Sequence, residues 1–373
     1  MKKLKLMTIL GTRPEIIRLA AVIKKADQVF DHILVHTGQN YDYELSEIFF
    51  KELSIRKPDY IFSIAGKSLG EKIGAIISES YSIIMKEKPD AVLILGDTNS
   101  ALAAISAKRL KVPVFHMEAG NRCWDWNVSE MINRRIVDSI ADVNLPYTET
   151  SRINLINEGA DAKNIFVTGS PLAEVLDMYK NEIENSTILE KFHLEKSKYI
   201  LVSSHREENI DIEDHFYSHM NAINQIAEKY QMPIIYSVHP RSKQWIEKRK
   251  FIFHPLIKQI KPLGFFDYNK LQKESFCVLS DSGTLSEESA LLNFPGVLIR
   301  TSTERSEALD SGSIIIGGIT TKEIVQAIEM AILLREEKIT LNKDYTSLNV
   351  SSKVAKIIQS YTNIINITVW NKK

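Results

Sequence analysis

Along its first half the chain alternates short apolar runs with amphipathic stretches. Residues 4–10 form one such run and a helical pattern opens at Pro14; residues 32–36, 91–95 and 114–117 are further runs, with a second helical pattern from Thr98. This alternation predicts the strands of a parallel, doubly wound sheet joined by helices. From Glu130 the spacing of Ile132, Ile136, Val137 and Ile140 predicts a helix with those four as its buried stripe, leaving Glu130, Asn133 and Arg134 near its front end.

The rhythm breaks after Gly169-Ser170-Pro171, where a charged segment spans residues 180–198, and restarts at 199–203, 233–237, 276–280 and 296–299. At 373 residues the chain exceeds the size at which a single core keeps growing. The break therefore predicts an α/β fold of two Rossmann-like domains, residues 1–172 and 173–373, with the last helix packing back on the first domain. A ligand is expected between them, outside the carboxyl ends of the strands.

Charge and cysteine content narrow the partners. Lysine plus arginine total 47 and aspartate plus glutamate total 47, so no global field gathers nucleic acid or an acidic membrane surface. Neither nucleic acid nor membrane is expected as a partner, and an anion must be caught by local clusters. Cys123 and Cys277 stand in no metal-binding spacing, which suits a reducing, cytoplasmic compartment. The lysine-rich, then apolar start is interrupted by Arg13 and Glu15, short of a signal-peptide core, and no run is long enough to span a bilayer.

Candidate chemistry gathers at predicted strand ends. Gly11-Thr12-Arg13-Pro14-Glu15 with Arg18 combines a tight turn, a proline suited to a helix start and basic groups for a phosphate or sugar; an ordinary strand-to-helix turn is the plain alternative. Asp97 follows one apolar run and would serve either as a helix cap or as a catalytic group, whereas Glu118, among small residues after the next run, is hard to justify by packing. With Glu130 these make three carboxylates for one pocket, and crowded carboxylates share protons. In the second half His205 and Arg206, then His239, follow strands as donors to a pyrophosphate. Asp281-Ser282-Gly283 opens a helix whose amides can approach a phosphate, with Glu288 on its first turns for ribose hydroxyls and Arg305 beyond the next strand. Neither G-x-G-x-x-G nor a Walker motif is present.

Taken in order, GTRPE at Gly11, GDTNS at Gly96, HMEAG at His116, SHREEN at Ser204, DSG-x-x-x-EE at Asp281 and TER-x-EA at Thr303 resemble the non-hydrolysing UDP-N-acetylglucosamine 2-epimerases over nearly the whole chain. The resemblance implies a GT-B type fold closing over a UDP-N-acetylhexosamine, a homodimer, and neither metal nor NAD as cofactor. By position it implies Asp97, Glu118 and Glu130 as catalytic carboxylates and His205 as an essential histidine. Arg13, Arg18 and Arg134 would meet substrate, Tyr268 would lie by uracil, Ser282 and Gly283 by phosphate, Glu288 by ribose and Arg305 by the diphosphate.

The implied reaction interconverts UDP-N-acetylglucosamine and UDP-N-acetylmannosamine through elimination of UDP and its re-addition to 2-acetamidoglucal. Arg18 stands where many members carry lysine, and Ser129-Glu130-Met131 replaces their Pro-Glu-Glu. Residues 38–43, Asn121-Arg122-Cys123, residues 349–353 and Val369-Trp370 look like the branch that converts UDP-2-acetamido-2,6-dideoxy-L-talose to UDP-N-acetyl-L-fucosamine. A GT-B glycosyltransferase sharing the nucleotide end and a catalytically silent nucleotide-sugar sensor are the remaining alternatives.

Overall fold

The computed structural model describes residues 3–39, 46–64, 68–124, 126, 128–204, 206–337 and 341–372. The chain divides into two compact units, Met1–Met178 with Lys343–Lys373, and Tyr179–Asn342. In the first unit β1 (Lys5–Leu10), β2 (Asp31–His36), β3 (Tyr60–Ile61), β4 (Ala91–Leu95), β5 (Val114–Met117) and β6 (Val143–Leu145) form a parallel sheet in the order β3-β2-β1-β4-β5-β6. In the second, β7 (Ile200–Ser204), β8 (Ile234–Val238), β9 (Ile257–Ile260), β10 (Cys277–Ser280), β11 (Gly296–Leu298) and β12 (Ile314–Ile316) repeat that arrangement as β12-β11-β10-β7-β8-β9.

Both sheets are Rossmann-like. In each, the chain leaves its first strand in one direction for two crossovers and then returns to that strand's other side, so the loops after β1 and β4, and after β7 and β10, part in opposite directions. A crevice at the carboxyl ends of those strands is the consequence. The register supports it: Thr8 pairs with both Leu34 and Leu93, and Val202 with both Tyr236 and Leu279.

Alternating side chains of the strands feed two cores. In the second unit Ile200, Val202, Ile234, Tyr236 and Leu279 enter one cluster, while Tyr199, Leu201, Ile235 and Val278 enter the other. Burial on both faces is why these strands read as continuous apolar runs. In the first unit Met7, Ile9, Val35, Val92, Ile94 and Val114 pack with Ile76, Ala104 and Val137 from the helices.

Three expectations are adjusted. Among the described side chains of helix Ser129–Ile140, Met131, Arg134, Val137 and Asp138 are buried, whereas Ile132 is 49% and Ile136 38% exposed. The helix has turned its buried face toward an ion-pair network, so counting only apolar positions misplaced the stripe. Thr98, not Asp97, caps the short 3-10 helix Asn99–Leu102 by accepting from the Ser100 amide, and the α-helix begins only at Ala103–Arg109. The charged stretch 180–198, where the apolar rhythm breaks, contains helices Lys180–Glu184 and Ile188–Phe192; Lys270 and Lys273 of helix Phe265–Glu274 pair with Glu184. Strands β3, β6, β9 and β12 were not anticipated.

The last helix, Val350–Thr368, lies against helix Arg13–Val29 of the first unit, burying Val354, Ile358 and Ile365. Its start is fixed by Glu174, which accepts from the Ser351 amide at 2.8 Å and hydroxyl at 2.5 Å.

Candidate active site

In the first unit the turns after β1, β4 and β5 meet around a set of buried charges. Arg18, on the second turn of helix Arg13–Val29, donates to the Glu118 carboxylate. Arg134, from helix Ser129–Ile140, donates to the Asp97 carboxylate and to the Glu118 carbonyl, and its Nη2 stands 3.5 Å from Glu118 Oε1. Asp97 and Glu118 are thus held at neighbouring strand ends with a guanidinium between them. The proton-sharing crowd of carboxylates expected from sequence gives way to carboxylates interleaved with arginines. Arg18, Arg134 and Glu118 are almost wholly enclosed, whereas the Asp97 side chain keeps 17% of its surface. Removing one partner of such a buried pair costs about 3–5 kcal/mol, so each charge fixes the next.

Backbone geometry reinforces the set. Glu118 adopts φ +63°, the left-handed region that costs a non-glycine residue on the order of 1–3 kcal/mol. A buried histidine holds this strained turn: His116 Nε2 donates to the Gly96 carbonyl at 2.7 Å, and its Nδ1 lies 2.9 Å from Asp138, which accepts from the Gly120 amide. Burial works to raise the Asp138 carboxyl, but the His116 contact and the charges of Arg122 and Arg134 outweigh it and hold the group below its ordinary range. Asn133 donates to the Asp97 carbonyl at 3.0 Å and to Asn99 Oδ1 at 3.1 Å. Glu130 sits one turn before Arg134 on the same helix face, half-buried.

The turn after β1 contributes Arg13, whose guanidinium lies 5.9 Å from the Phe49 ring, while Arg18 covers Tyr147 at 5.8 Å. Glu15, given no role in the sequence reading, is fully buried here. Its Oε2 accepts from the Gly11 amide at 3.0 Å and the Thr12 hydroxyl at 2.7 Å, and its Oε1 from the Thr98 hydroxyl at 3.2 Å. Burial pushes its carboxyl up to about 7, against the lowering effect of those hydrogen bonds.

In the second unit the switch point is built differently. Asp281, after β10, is buried and accepts from the Arg206 amide at 2.9 Å and from Asn209 at 3.3 Å, while Arg206 Nε returns a hydrogen bond to the Asp281 carbonyl at 3.0 Å. Ser282 and Gly283 follow, half-exposed, before helix Leu285–Leu292. Gln272 donates to Glu288 at 2.6 Å, and Tyr268 lies one turn before Gln272 on helix Phe265–Glu274, which brings Tyr268 and Glu288 to neighbouring elements. Arg305 is buried against Glu287 at 2.6 Å, and Arg300 grips Glu304 with two bonds of 3.0 Å. His239 caps helix Pro240–Arg249, accepting from the Arg241 amide at 3.3 Å. His205 and positions 40–43 lie outside the described residues. Among the described residues no group of three or more His, Cys, Asp or Glu side chains is placed to hold a metal ion.

The family model described as UDP-N-acetylglucosamine 2-epimerase matches residues 23–359. The chain belongs to the UDP-N-acetylglucosamine 2-epimerase family. Its GT-B type fold is shared with the solved UDP-N-acetylglucosamine 2-epimerase of Rickettsia bellii, 43% identical, covering 99% of this chain and 100% of that one with a TM-score of 0.90. The UDP-N-acetylglucosamine 2-epimerase of Methanocaldococcus jannaschii, solved in complex with UDP-N-acetylglucosamine and UDP, is 32% identical over 95% of this chain and 99% of its own, also with a TM-score of 0.90. A UDP-2,3-diacetamido-2,3-dideoxy-D-glucuronate 2-epimerase of Pseudomonas aeruginosa is 34% identical over 330 residues, 87% of this chain and 91% of that protein. Epimerases of different N-acetylated UDP-sugars therefore fall within similar distances of this chain.

Proposed function

We propose that this member of the UDP-N-acetylglucosamine 2-epimerase family interconverts UDP-N-acetylglucosamine and UDP-N-acetylmannosamine. The observation that carries the reading is the Arg18–Glu118–Arg134–Asp97 array at the first unit's switch point: two acids on adjacent strand ends, fixed by arginines, in a chain of this family.

The C2 hydrogen of an N-acetylhexosamine has no neighbouring carbonyl carbon to stabilise a carbanion. Elimination supplies the route. A carboxylate takes the C2 proton, the C2–H electron pair becomes the C1–C2 double bond, and the C1–oxygen pair leaves with UDP. Re-addition reverses each step while C2 receives its proton on the opposite face, so two proton-handling positions are required. Asp97, Glu118 and Glu130 are the proposed acids and bases. His205 and the basic residues Arg13, Arg18, Arg134, Arg206, His239 and Arg305 are proposed to meet the charge of the sugar diphosphate. Tyr268 is proposed for uracil, Ser282 and Gly283 for phosphate, and Glu288 for ribose.

Turnover in deuterated water tests the route. Deuterium at C2 of both substrate and product, with traces of UDP and 2-acetamidoglucal, is expected; retained C2 hydrogen would exclude elimination. A panel adding the UDP-2-acetamido-2,6-dideoxy-L-talose and UDP-N-acetyl-L-fucosamine pair decides the sugar. A need for an acceptor would point to a glycosyltransferase, and stoichiometric binding without turnover to a sensor. The cysteine content, two residues in no metal-binding spacing, supports a cytoplasmic setting, and no described helix is long and apolar enough to cross a membrane. A homodimer is part of the proposal; light scattering at the mass of one chain would remove it.

A further inference from the structure

Two turns of the first unit approach each other closely at the switch point. Thr37 and Ser100, from the loops after β2 and β4, share a hydrogen bond of 2.7 Å directly over Gly11. A Cβ at Gly11 would stand 2.0 Å from Thr37 Oγ1 and 2.2 Å from Ser100 Oγ, so only a bare backbone fits there. Glu15 reaches the same turn, with one carboxylate oxygen accepting from Gly11 and Thr12 and the other from Thr98.

The partners define what Glu15 is doing. All three are neutral donors. Burying a carboxyl is costly, and this one is held by its hydrogen bonds to both turns. One end holds the turn that leads into Arg13 and Arg18. The other holds Thr98, whose neighbour Asp97 is paired with Arg134. Arg18 in turn reaches Glu118. Glu15 thus joins the basic end of helix Arg13–Val29 to the turn that carries an acid.

We infer that Glu15 is a positioning residue for the epimerase reaction: it straps the turn after β1 to the turn after β4 and thereby sets the distance between the Arg13 and Arg18 side chains and the Asp97 carboxylate. It needs neither charge nor contact with substrate. A misplacement of about 1 Å at reacting groups lowers turnover by about 100-fold, so the strap acts on the chemical step. The inference rests on the proposed activity, and the test separates the two.

Three variants are compared with the wild type. Glu15→Gln keeps an oxygen for Gly11 and Thr12 and offers Thr98 an amide donor; kcat within about threefold of wild type is expected. Glu15→Ala is expected to lower kcat by about 10- to 100-fold while the Kd for UDP stays within about twofold. Thr98→Val removes one end of the strap at nearly constant volume, and kcat is expected to fall about three- to tenfold. Unchanged kcat in Thr98→Val or Glu15→Ala, or a Glu15→Gln enzyme as slow as Glu15→Ala, overturns the strap. A wild-type protein inactive on every UDP-N-acetylhexosamine overturns the functional reading instead. The strap is then judged by hydrogen–deuterium exchange of the Gly11–Thr12 amides, which needs no substrate: faster exchange in Glu15→Ala and Thr98→Val upholds it, and unchanged exchange ends it.

Discussion

At the ends of β4 and β5 in the first unit stand Asp97 and Glu118; at the matching ends of β10 and β11 in the second stand Asp281 and Arg300. The strand order is the same in both sheets. In the first unit the acids are held by arginines from other elements and Asp97 keeps an open side. In the second, Asp281 is turned wholly inward and gives its carboxylate to Arg206 and Asn209, and the following residues, Ser282 and Gly283, are small and accessible. Topology decides where a ligand meets the sheet. The side chains at those few positions decide whether the edge offers carboxylates or small residues with accessible backbone.

The comparison breaks first at Glu118. Glu118→Gln is expected to lower epimerisation by about 1,000-fold, within the range for loss of a general acid or base, while the Kd for UDP stays within about twofold. Proton NMR of turnover and calorimetry with UDP read the two sides separately, and a parallel loss of both would dissolve the division of labour.

Glu15 supplies the next test, through pH. Its folded carboxyl lies at about 7 against an ordinary value of 4.5. Between those values the unfolded chain releases a proton that the native protein keeps, so the stability it confers is fully present below pH 4.5 and is lost as pH rises through 7. The sign follows from linkage, and the span is on the order of 3 kcal/mol. Relative to Glu15→Gln, the wild type is expected to lose stability steadily from pH 4.5 to 7.5. A constant difference in denaturant midpoints across that range would contradict it.

Two glycines sharpen the contrast at lower energies. Gly11→Ala forces a Cβ into Thr37 and Ser100, and about 1–3 kcal/mol of destabilisation is expected. At Gly283 the nearest atom to an added Cβ is Glu304 Oε2 at 3.6 Å, so Gly283→Ala folds unperturbed. Its expected effect is on the ligand alone, about a tenfold weaker Kd for UDP, or roughly 1.4 kcal/mol, with kcat unchanged. Thermal unfolding and UDP calorimetry on both variants check this; equal behaviour of the two would mean that the two switch points are not differently built.

The central strands were legible because burial on both faces writes them as unbroken apolar runs. The edge strands were not. Tyr60–Ile61 is two residues long, Val143–Leu145 is three with asparagine at its centre, and Ile257–Ile260 carries exposed Lys258 and Gln259. Helix Ser129–Ile140 misled for a related reason: it buries Arg134 and Asp138 and exposes two isoleucines, and no apolar count registers a charge that is buried by pairing. Asp97, Glu118, Arg18 and Arg134 could be named from their places at strand and helix ends, but the arginine wedged between the acids is a product of tertiary contact. Glu15 escaped notice because a first-turn glutamate ordinarily complements the helix dipole. The one further signal, a glycine four residues ahead, gains meaning only once the loops over it are seen.

Because residues 343–373 complete the unit that begins the chain, the second unit is an uninterrupted insertion and the first is assembled from both termini. On the ribosome the inserted unit has its full sequence available first. The opening βαβ elements must then wait, with helix Arg13–Val29 lacking its cover, until Val350–Thr368 emerges. A nascent chain stopped shortly before that helix would carry the whole sequence of the second unit beside a first unit in which helix Arg13–Val29 still lacks Val350–Thr368 against it.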